Sequence, residues 1–411
     1  MRIGIFTDSY PPYINGVSTS VKMLEDALKK RGHQVYIVTV NPDNLRYRYE
    51  DDNHIVRIPG IPVHIYDYRL TNAYPIKALR KIKKWNLDVI HSQTEFGIGT
   101  FARIISKQYN IPLVHTYHTM YEDYTHYITK GHFNKTSKKI VKYLTDFYCD
   151  QTATELIVPT KKTYDLFKDK YKYERDVHII PTGIDIERFY KENFKEKDIE
   201  VLRKFYGIKN NEKVILFVGR IAQEKNIELL IDAHKEIIKK YPCKLMIVGD
   251  GPDIDKYKKQ VSKNKLDDYV IFTGRIVYRD VPKYYRLADI FATASTSETQ
   301  GLTVIEACAA SLPVVCVNDE SFNTVVVDGI NGYLFNNKKE YIKKTIDLLN
   351  DDNLLEQFSN QARISSNNYS SETFAKEVEN VYKKAIEATN SNNKNILNGF
   401  VGVVKKMFKK S

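Results

Sequence analysis

Residues 2–30 read RIGIFTDSYPPYINGVSTSVKMLEDALKK. An apolar run from Arg2 to Phe6 ends in a loop carrying Gly16, after which Val17, Val21, Leu24 and Leu28 fall at helical spacing until the pattern stops at Gly32. The stretch is a strand, a glycine-bearing loop and a helix, and the same cycle recurs outward from it. Val35 to Val40 and His54 to Ile58 have strand character, Ile76 to Trp85 is helical, Val89 and Ile90 centre another strand, and Phe96 to Lys107 is again helical. Leu113 to Thr116 continues as a strand, and Lys135 to Tyr148, Leu156 to Pro159 and Val177 to Ile180 complete a first unit. Such alternation predicts a doubly wound parallel sheet.

Near Pro181-Thr-Gly-Ile-Asp185 the pattern pauses, and a second cycle begins. Val214 to Val218, Lys244 to Val248, Val270 to Thr273, Ile290 to Ala292 and Val314 to Val317 are its strands, with helices such as Ile227 to Ile238 between them. The expected class is α/β, with an amino-terminal domain over 1–184 and a carboxyl-terminal domain over 185–369. A terminal helix over 370–388 is expected to pack back towards the first domain, and 389–411 to form an Asn-rich spacer, Thr389 to Lys394, and a separate tail. Ligands of parallel sheets bind at the carboxyl ends of strands, and the distinctive loops after Phe6, Thr116, Val218, Val248 and Ala292 all lie there. Two such sheets facing each other place the ligand in the cleft between them.

A chain of 411 residues is long enough for two cores. Cys149, Cys243, Cys308 and Cys316 lack metal-ligand spacing and sit in apolar or helical contexts, so buried reduced thiols and a cytoplasmic compartment are expected. The chain enters a strand directly rather than a signal sequence, and no apolar run reaches the roughly 18 residues of a membrane span. The net charge of +12 points to an anionic partner, nucleic acid or an acidic membrane surface.

The chemistry is concentrated in Ser295 to Glu306, STSETQGLTVIE. Glu298 and Glu306 flank Gly301, and the second falls in the apolar, helix-like run Leu302 to Ala310. A helix beginning near Gly301 aims free backbone N–H groups and a positive dipole end at the space beside Glu298, where a phosphate can be held. A carboxylate next to an anion site suits neutral hydroxyls, and the combination suits a nucleotide sugar. Two glutamates eight positions apart are weak evidence alone. They are joined by Gly219-Arg220-Ile-Ala-Gln-Glu-Lys225-Asn, by Gly249-Asp-Gly-Pro252, by Gly16 in the first loop and by His118 just beyond the strand Leu113 to Thr116.

Loop by loop over residues 1–388, these motifs resemble the retaining glycosyltransferases of family 4, which have the GT-B fold of two facing Rossmann-like doubly wound parallel-sheet domains with an interdomain cleft. The resemblance implies that Arg220 and Lys225 neutralise the departing diphosphate, Arg as a planar fork and Lys as a point charge. It implies that Glu298 faces the transferred sugar, that backbone N–H groups of Gly301, Leu302 and Thr303 hold oxygens, and that Glu306 holds the ribose diol. Gly16 would admit the first loop to the phosphate without a side chain in the way, and Val277, in Gly274-Arg-Ile-Val277, would meet the base. His118 and Glu298 are the expected catalytic pair, with His118 orienting sugar or acceptor. In retaining transfer the leaving phosphate can itself take the acceptor proton, so no strong base is required. No Asp-x-Asp pair stands at a strand end, so no metal or cofactor is expected to be required, and stimulation by Mg²⁺ is left open.

The segment from Glu95 to Gly131 resembles that of bacterial 1,2-diacylglycerol 3-glucosyltransferases, which implies UDP-glucose as donor, diacylglycerol as acceptor and a peripheral place on the cytoplasmic membrane face. Lys77, Arg80, Lys81, Lys83 and Lys84 project on one side of their helix, with Ile76, Leu79 and Ile82 on the other, and Lys135, Lys138, Lys139 and Lys142 add a second basic patch. From Ile396 to Lys410 the apolar residues fill an arc of roughly 160° with Lys405, Lys406, Lys409 and Lys410 in the remainder. Anionic lipids are therefore expected partners beside the UDP-sugar and diacylglycerol. A sugar or polysaccharide acceptor is the rival enzyme reading. A nucleic-acid-binding role rests on charge alone and leaves the arrangement of Arg220, Lys225, Glu298 and Glu306 unexplained.

Overall fold

The structure is a computed structural model that describes residues 1–13, 15–43, 45–62, 69–72, 74–95, 97–118, 145–174, 176–298 and 300–408. The chain forms two compact units, Met1–Gly183 with Glu372–Ser411, and Ile184–Ser371.

The first unit is built on β1 (Arg2–Phe6), β2 (Gln34–Val40), β3 (Arg48–Glu50), β4 (Ile55–Ile58), β7 (Val89–Ser92), β8 (Leu113–Thr116), β9 (Glu155–Val158) and β10 (Val177–Ile179), in the order β10-β9-β8-β7-β1-β2-β4-β3. All neighbours run parallel except β3, which closes the edge antiparallel to β4. A separate hairpin joins β5 (Gly60–Pro62) to β6 (Arg69–Thr71). β1 pairs with β2 on one side and β7 on the other, with Phe6 opposite Ser92, so successive crossovers leave β1 in opposite directions. Loops diverge at such a switch point and leave a crevice at the strand ends. One face of the sheet is covered by the helix Gly16–Lys30 and by Phe374, Ala375, Val378, Val381, Tyr382 and Ala385 of the last helix; the other packs on Ile76–Ile82 and Gly97–Tyr109.

The second unit carries β11 (Lys213–Val218), β12 (Cys243–Val248), β13 (Val270–Gly274), β14 (Ile290–Thr293), β15 (Val314–Val317) and β16 (Gly332–Phe335), in the order β13-β12-β11-β14-β15-β16 and parallel throughout. One core cluster lies on each face of this sheet. Both sheets are therefore the doubly wound α/β type that the β–α alternation implied. All four cysteines are buried and unbridged.

Two expectations are corrected. Ile76, placed by spacing with the apolar side of its helix, is 56% exposed, while Ala78, Leu79, Ile82 and Trp85 are buried. At 100° per residue Ile76 is rotated roughly 130° from the mean of the buried set. The expected spacer Thr389 to Lys394 is helical, within one helix running Ser371–Phe408. It contains neither Gly nor Pro, and Asn, Ser and Thr each cost less than about 0.7 kcal/mol relative to Ala, too little to stop a helix already under way. The Lys135, Lys138, Lys139 and Lys142 patch lies outside the described residues.

Candidate active site

Polar side chains gather at the carboxyl ends of the strands in each unit. In the second unit the chain leaves β11 through Gly219-Arg220-Ile221, and the loop after β12 lies directly against this turn. The Ile221 N–H donates to the Asp250 carbonyl (3.0 Å) and the Asp253 N–H to the Ile221 carbonyl (3.2 Å). A Cβ on Gly251 would stand 2.2 Å from that Ile221 oxygen, so the close approach requires glycine. This contact explains Gly249-Asp-Gly-Pro252: it buttresses the turn that presents Arg220. The Arg220 guanidinium lies 3.9 Å from the Glu224 carboxylate. A short 3-10 turn, Gln223–Lys225, then carries Lys225 to an ion pair with Glu298, both partly buried. The Ser295 hydroxyl donates to the Glu224 carbonyl at 3.4 Å, binding the two loops together.

The helix Leu302–Ala309 starts from Gly301, whose φ is +73° and whose Cβ, were there one, would stand 2.4 Å from the Phe322 ring. Among the described residues no side-chain hydrogen bond caps this end, and no acid stands in its first turn. Two helices of the first unit differ. In Gly97–Tyr109 the Asp8 carboxylate accepts from the Ile98 N–H (3.2 Å) and the Thr94 hydroxyl (2.6 Å), with burial pushing its titration up to about 6. In Gly16–Lys30 the Asn15 side chain accepts from the Ser18 N–H at 2.9 Å. Of these three ends, the one that follows Glu298 carries no side-chain cap among the described residues, the arrangement that suits an anion.

Glu306 is buried one turn into that helix. Its Oε2 accepts from the Tyr285 hydroxyl at 2.8 Å, which also reaches the Thr303 carbonyl at 3.3 Å. Burial pushes the Glu306 carboxyl up to about 7, against the opposing effects of the Tyr285 hydrogen bond and the Arg188 charge. Arg188 stacks 4.3 Å from the Tyr278 ring centroid and donates to the Tyr278 carbonyl. Its neighbour Val277 is 65% exposed. Sequence reasoning missed Tyr285 and Arg188. Tyr285 sits in the buried face of Val281–Leu287, where nothing in the spacing separates a tyrosine that packs from one that also holds a carboxylate.

In the first unit Gly16 is exposed at the start of its helix, and His118 follows β8. The His118 Nε2–H donates to Gln93 Oε1 at 2.6 Å. His115 bridges the Ser92 carbonyl (2.9 Å) and Glu95 (3.2 Å), and His91 bonds the hydroxyls of Tyr382 and Thr116, each at 2.7 Å. Burial lowers all three imidazoles, for His115 against the opposing Glu95 and Ser92 hydrogen bonds, and brings His118 to about 4, so His118 is neutral at pH 7. Sequence reasoning did not single out Gln93 or Asp8.

Of the basic residues, Lys77, Arg80, Lys83 and Lys84 are exposed and Lys81 half-buried. Ile61 and Leu70 of the β5–β6 hairpin, Tyr74 and Ile76 are exposed nearby in the chain. Lys405 and Lys406 fall in the last helix; Lys409 and Lys410 lie outside the described residues. Among the described residues no three His, Cys, Asp or Glu side chains are grouped to hold a metal ion.

Residues 14–188 match the family described as Glycosyltransferase Family 4, and residues 198–365 that described as Glycosyl transferases group 1. The chain is 38% identical to an alpha-monoglucosyldiacylglycerol synthase of Acholeplasma laidlawii, over 95% of this chain and 98% of that protein. It is 37% identical to a protein of the same name from Streptococcus pneumoniae, over 95% and 87%. Among solved structures, HepE of Anabaena in complex with UDP superposes with a TM-score of 0.71 at 19% identity, covering 93% of this chain and all of that one. Two family matches in series, two relatives of this identity covering nearly the whole length and a shared GT-B fold have one meaning: the chain belongs to the family 4 glycosyltransferases, and it is a hexosyltransferase.

Proposed function

We propose that this enzyme is a retaining glucosyltransferase that moves glucose from UDP-glucose to the 3-hydroxyl of 1,2-diacylglycerol, giving alpha-monoglucosyldiacylglycerol at the cytoplasmic face of the membrane. The observation that carries this reading is that both relatives matching 95% of the chain at 37–38% identity bear the name of that synthase. The site chemistry agrees with it. In the transfer the acceptor oxygen forms a bond to the sugar C1 while the bond from C1 to the β-phosphate oxygen breaks. The electron pair leaves on the diphosphate, and the acceptor proton passes to a diphosphate oxygen on the same face, so configuration is retained.

What the protein supplies is fixed positive charge and N–H dipoles where that negative charge develops. Lys225 and Arg220 supply the charge, and the N–H groups of Gly301, Leu302 and Thr303 supply the dipoles. Glu298, held in place by Lys225, accepts from sugar hydroxyls, and Glu306, steadied by Tyr285, accepts from the ribose diol. Val277 meets the base. In the first unit neutral His118 orients a hydroxyl and Gly16 admits the phosphate. The charge on Arg220 and Lys225 stands where other transferases use a cation, and the reaction proceeds without a required metal.

Exposed basic and apolar groups of the first unit, with the basic tail, support membrane placement. No helix among the described residues is long and apolar enough to cross a membrane. Lys77, Arg80, Lys81, Lys83 and Lys84, the exposed Ile61, Leu70, Tyr74 and Ile76, and the tail with Lys405, Lys406, Lys409 and Lys410 meet the surface of an anionic bilayer. Each lysine near such a surface contributes about 1 kcal/mol. The test is incubation with radiolabelled UDP-glucose and a panel of lipid and sugar acceptors, with products separated and anomeric configuration assigned by NMR. Label in an α-glucosyl diacylglycerol is expected. Label carried only into water-soluble glycans, with diacylglycerol ignored, refutes the lipid reading.

A further inference from the structure

Gln93 ends the central strand pair of the first unit. Its backbone N–H donates to the Phe6 carbonyl at 2.8 Å, which locks it across the switch point between β1 and β7. The residue is 2% exposed, and its two side-chain polar atoms fare differently. Oε1 accepts the short 2.6 Å bond from His118 Nε2–H. Nε2 is buried with no hydrogen-bond partner among the described residues. A buried amide NH₂ without an acceptor is unfavourable and uncommon, and this one stands at the carboxyl ends of parallel strands, where ligands of such sheets bind.

We propose that Gln93 is a two-sided positioning residue of the transfer reaction: its carbonyl oxygen holds His118 as the Nε2–H tautomer, and its NH₂ group donates to a hydroxyl oxygen of bound substrate. That oxygen belongs to the transferred hexose or to the acceptor alcohol; both offer the same lone pairs. The inference rests on the reading of His118 as a substrate-orienting group. It also explains why an amide stands here rather than an acid. A carboxylate at Oε1 would favour imidazolium at His118, which already faces Glu95, His115 and His91. The neutral amide leaves His118 uncharged, with Nδ1 as its acceptor atom.

Three variants separate the two functions of Gln93. Gln93→Met keeps the shape and removes both polar atoms, Gln93→Glu keeps the acceptor for His118 but removes the donor, and His118→Ala tests the underlying reading. Initial rates with UDP-glucose and diacylglycerol give kcat and KM for each substrate, and donor hydrolysis without acceptor is measured in parallel. Nitrogen-15 NMR of histidine-labelled protein reports the His118 tautomer and its titration.

The expected result is a fall of about tenfold or more in kcat/KM for Gln93→Met, the scale of a lost hydrogen bond or two. Gln93→Glu does not recover the lost activity, although its His118 remains the Nε2–H form and titrates at higher pH than in the wild type. If hydrolysis falls with transfer, the partner oxygen is on the hexose; if hydrolysis is spared and the KM for diacylglycerol rises, it is on the acceptor. Wild-type kcat/KM in Gln93→Met while His118→Ala is inactive overturns the proposal alone. Wild-type activity in His118→Ala overturns the site reading on which it rests. If Gln93→Met fails to fold, the wild-type spectrum still decides: an Nδ1–H tautomer at His118 overturns the proposal.

Discussion

Glu306→Gln isolates the energetic consequence of burying one carboxylate. In the folded protein the Glu306 carboxyl, ordinarily near 4.5, is pushed to about 7 by burial, with the Tyr285 hydroxyl on one oxygen. An acid whose folded value is raised binds its proton more tightly folded than unfolded, so its contribution to stability falls as pH rises between the two values and is constant outside them. From about 4.5 to about 7, at about 1.4 kcal/mol per pH unit, the loss is roughly 3 kcal/mol. Gln has the same shape, can accept from Tyr285 and never ionises. The variant should match wild type near pH 4.5 and exceed it by roughly 3 kcal/mol at pH 8. Urea melts of both proteins at pH 5, 6, 7 and 8 give the difference, and groups common to both cancel. A difference that stays flat across that range refutes the argument. The same variant should bind UDP more weakly, about tenfold on the scale of a charge-assisted hydrogen bond, at pH 8 where wild type is ionised. Glu306 would then be an example of stability given up for binding.

Lys225→Ala and Glu298→Gln should each lower transfer by roughly 100-fold while circular dichroism stays unchanged, since both lie in strand-end loops; near wild-type turnover in Lys225→Ala removes the phosphate assignment. Chelators should leave the rate nearly unaltered, and complete inhibition reversed by Mg²⁺ contradicts the metal-free reading. Sedimentation with vesicles should rise with anionic lipid content and weaken as salt shortens screening below about 8 Å; deleting residues 394–411 should reduce it together with lipid glucosylation but spare slow donor hydrolysis. Glu379 binds Arg31, His33 and Lys383, with the hydrogen bond from Lys383 the largest cause of a carboxyl held at about 2. This stabilisation is present above the ordinary value of 4.5 and lost as pH falls towards 2, so Glu379→Gln should speed amide exchange in residues 372–388 at pH 7 but change little at pH 2.

The parallel sheets were legible because strands buried on both faces are apolar throughout, as in Val214 to Val218, and each is followed by a helix with one apolar face. The strands that escaped notice are short or at an edge. Arg48–Glu50 contains no aliphatic residue, Gly60–Pro62 and Arg69–Thr71 form a hairpin with exposed Ile61 and Leu70, and Gly332–Phe335 begins at a glycine pressed against β15. At the site, the sequence pointed to charged residues whose spacing carries meaning, and the structure joins Lys225 to Glu298 across 73 positions. Gln93 and Tyr285 were invisible for a physical reason: an amide at a strand end and a tyrosine on an apolar helix face acquire their significance only from partners remote in sequence.

The last helix also has a consequence for how the protein is made. Phe374, Ala375, Val378, Val381, Tyr382 and Ala385 share a core with Ile3, Ile5, Val35 and Val89, and the Tyr382 hydroxyl bonds His91. Synthesis runs from the amino terminus, so the first sheet emerges from the ribosome with one face covered only by the helix Gly16–Lys30, while the whole of Ile184–Ser371 is translated and can fold as a unit. The second unit in sequence is thus free to finish first. Until Ala385 has cleared the exit tunnel the nascent chain exposes an apolar face, and a fragment ending at Gly183 would keep that face for good, a substrate for chaperones rather than a separable domain.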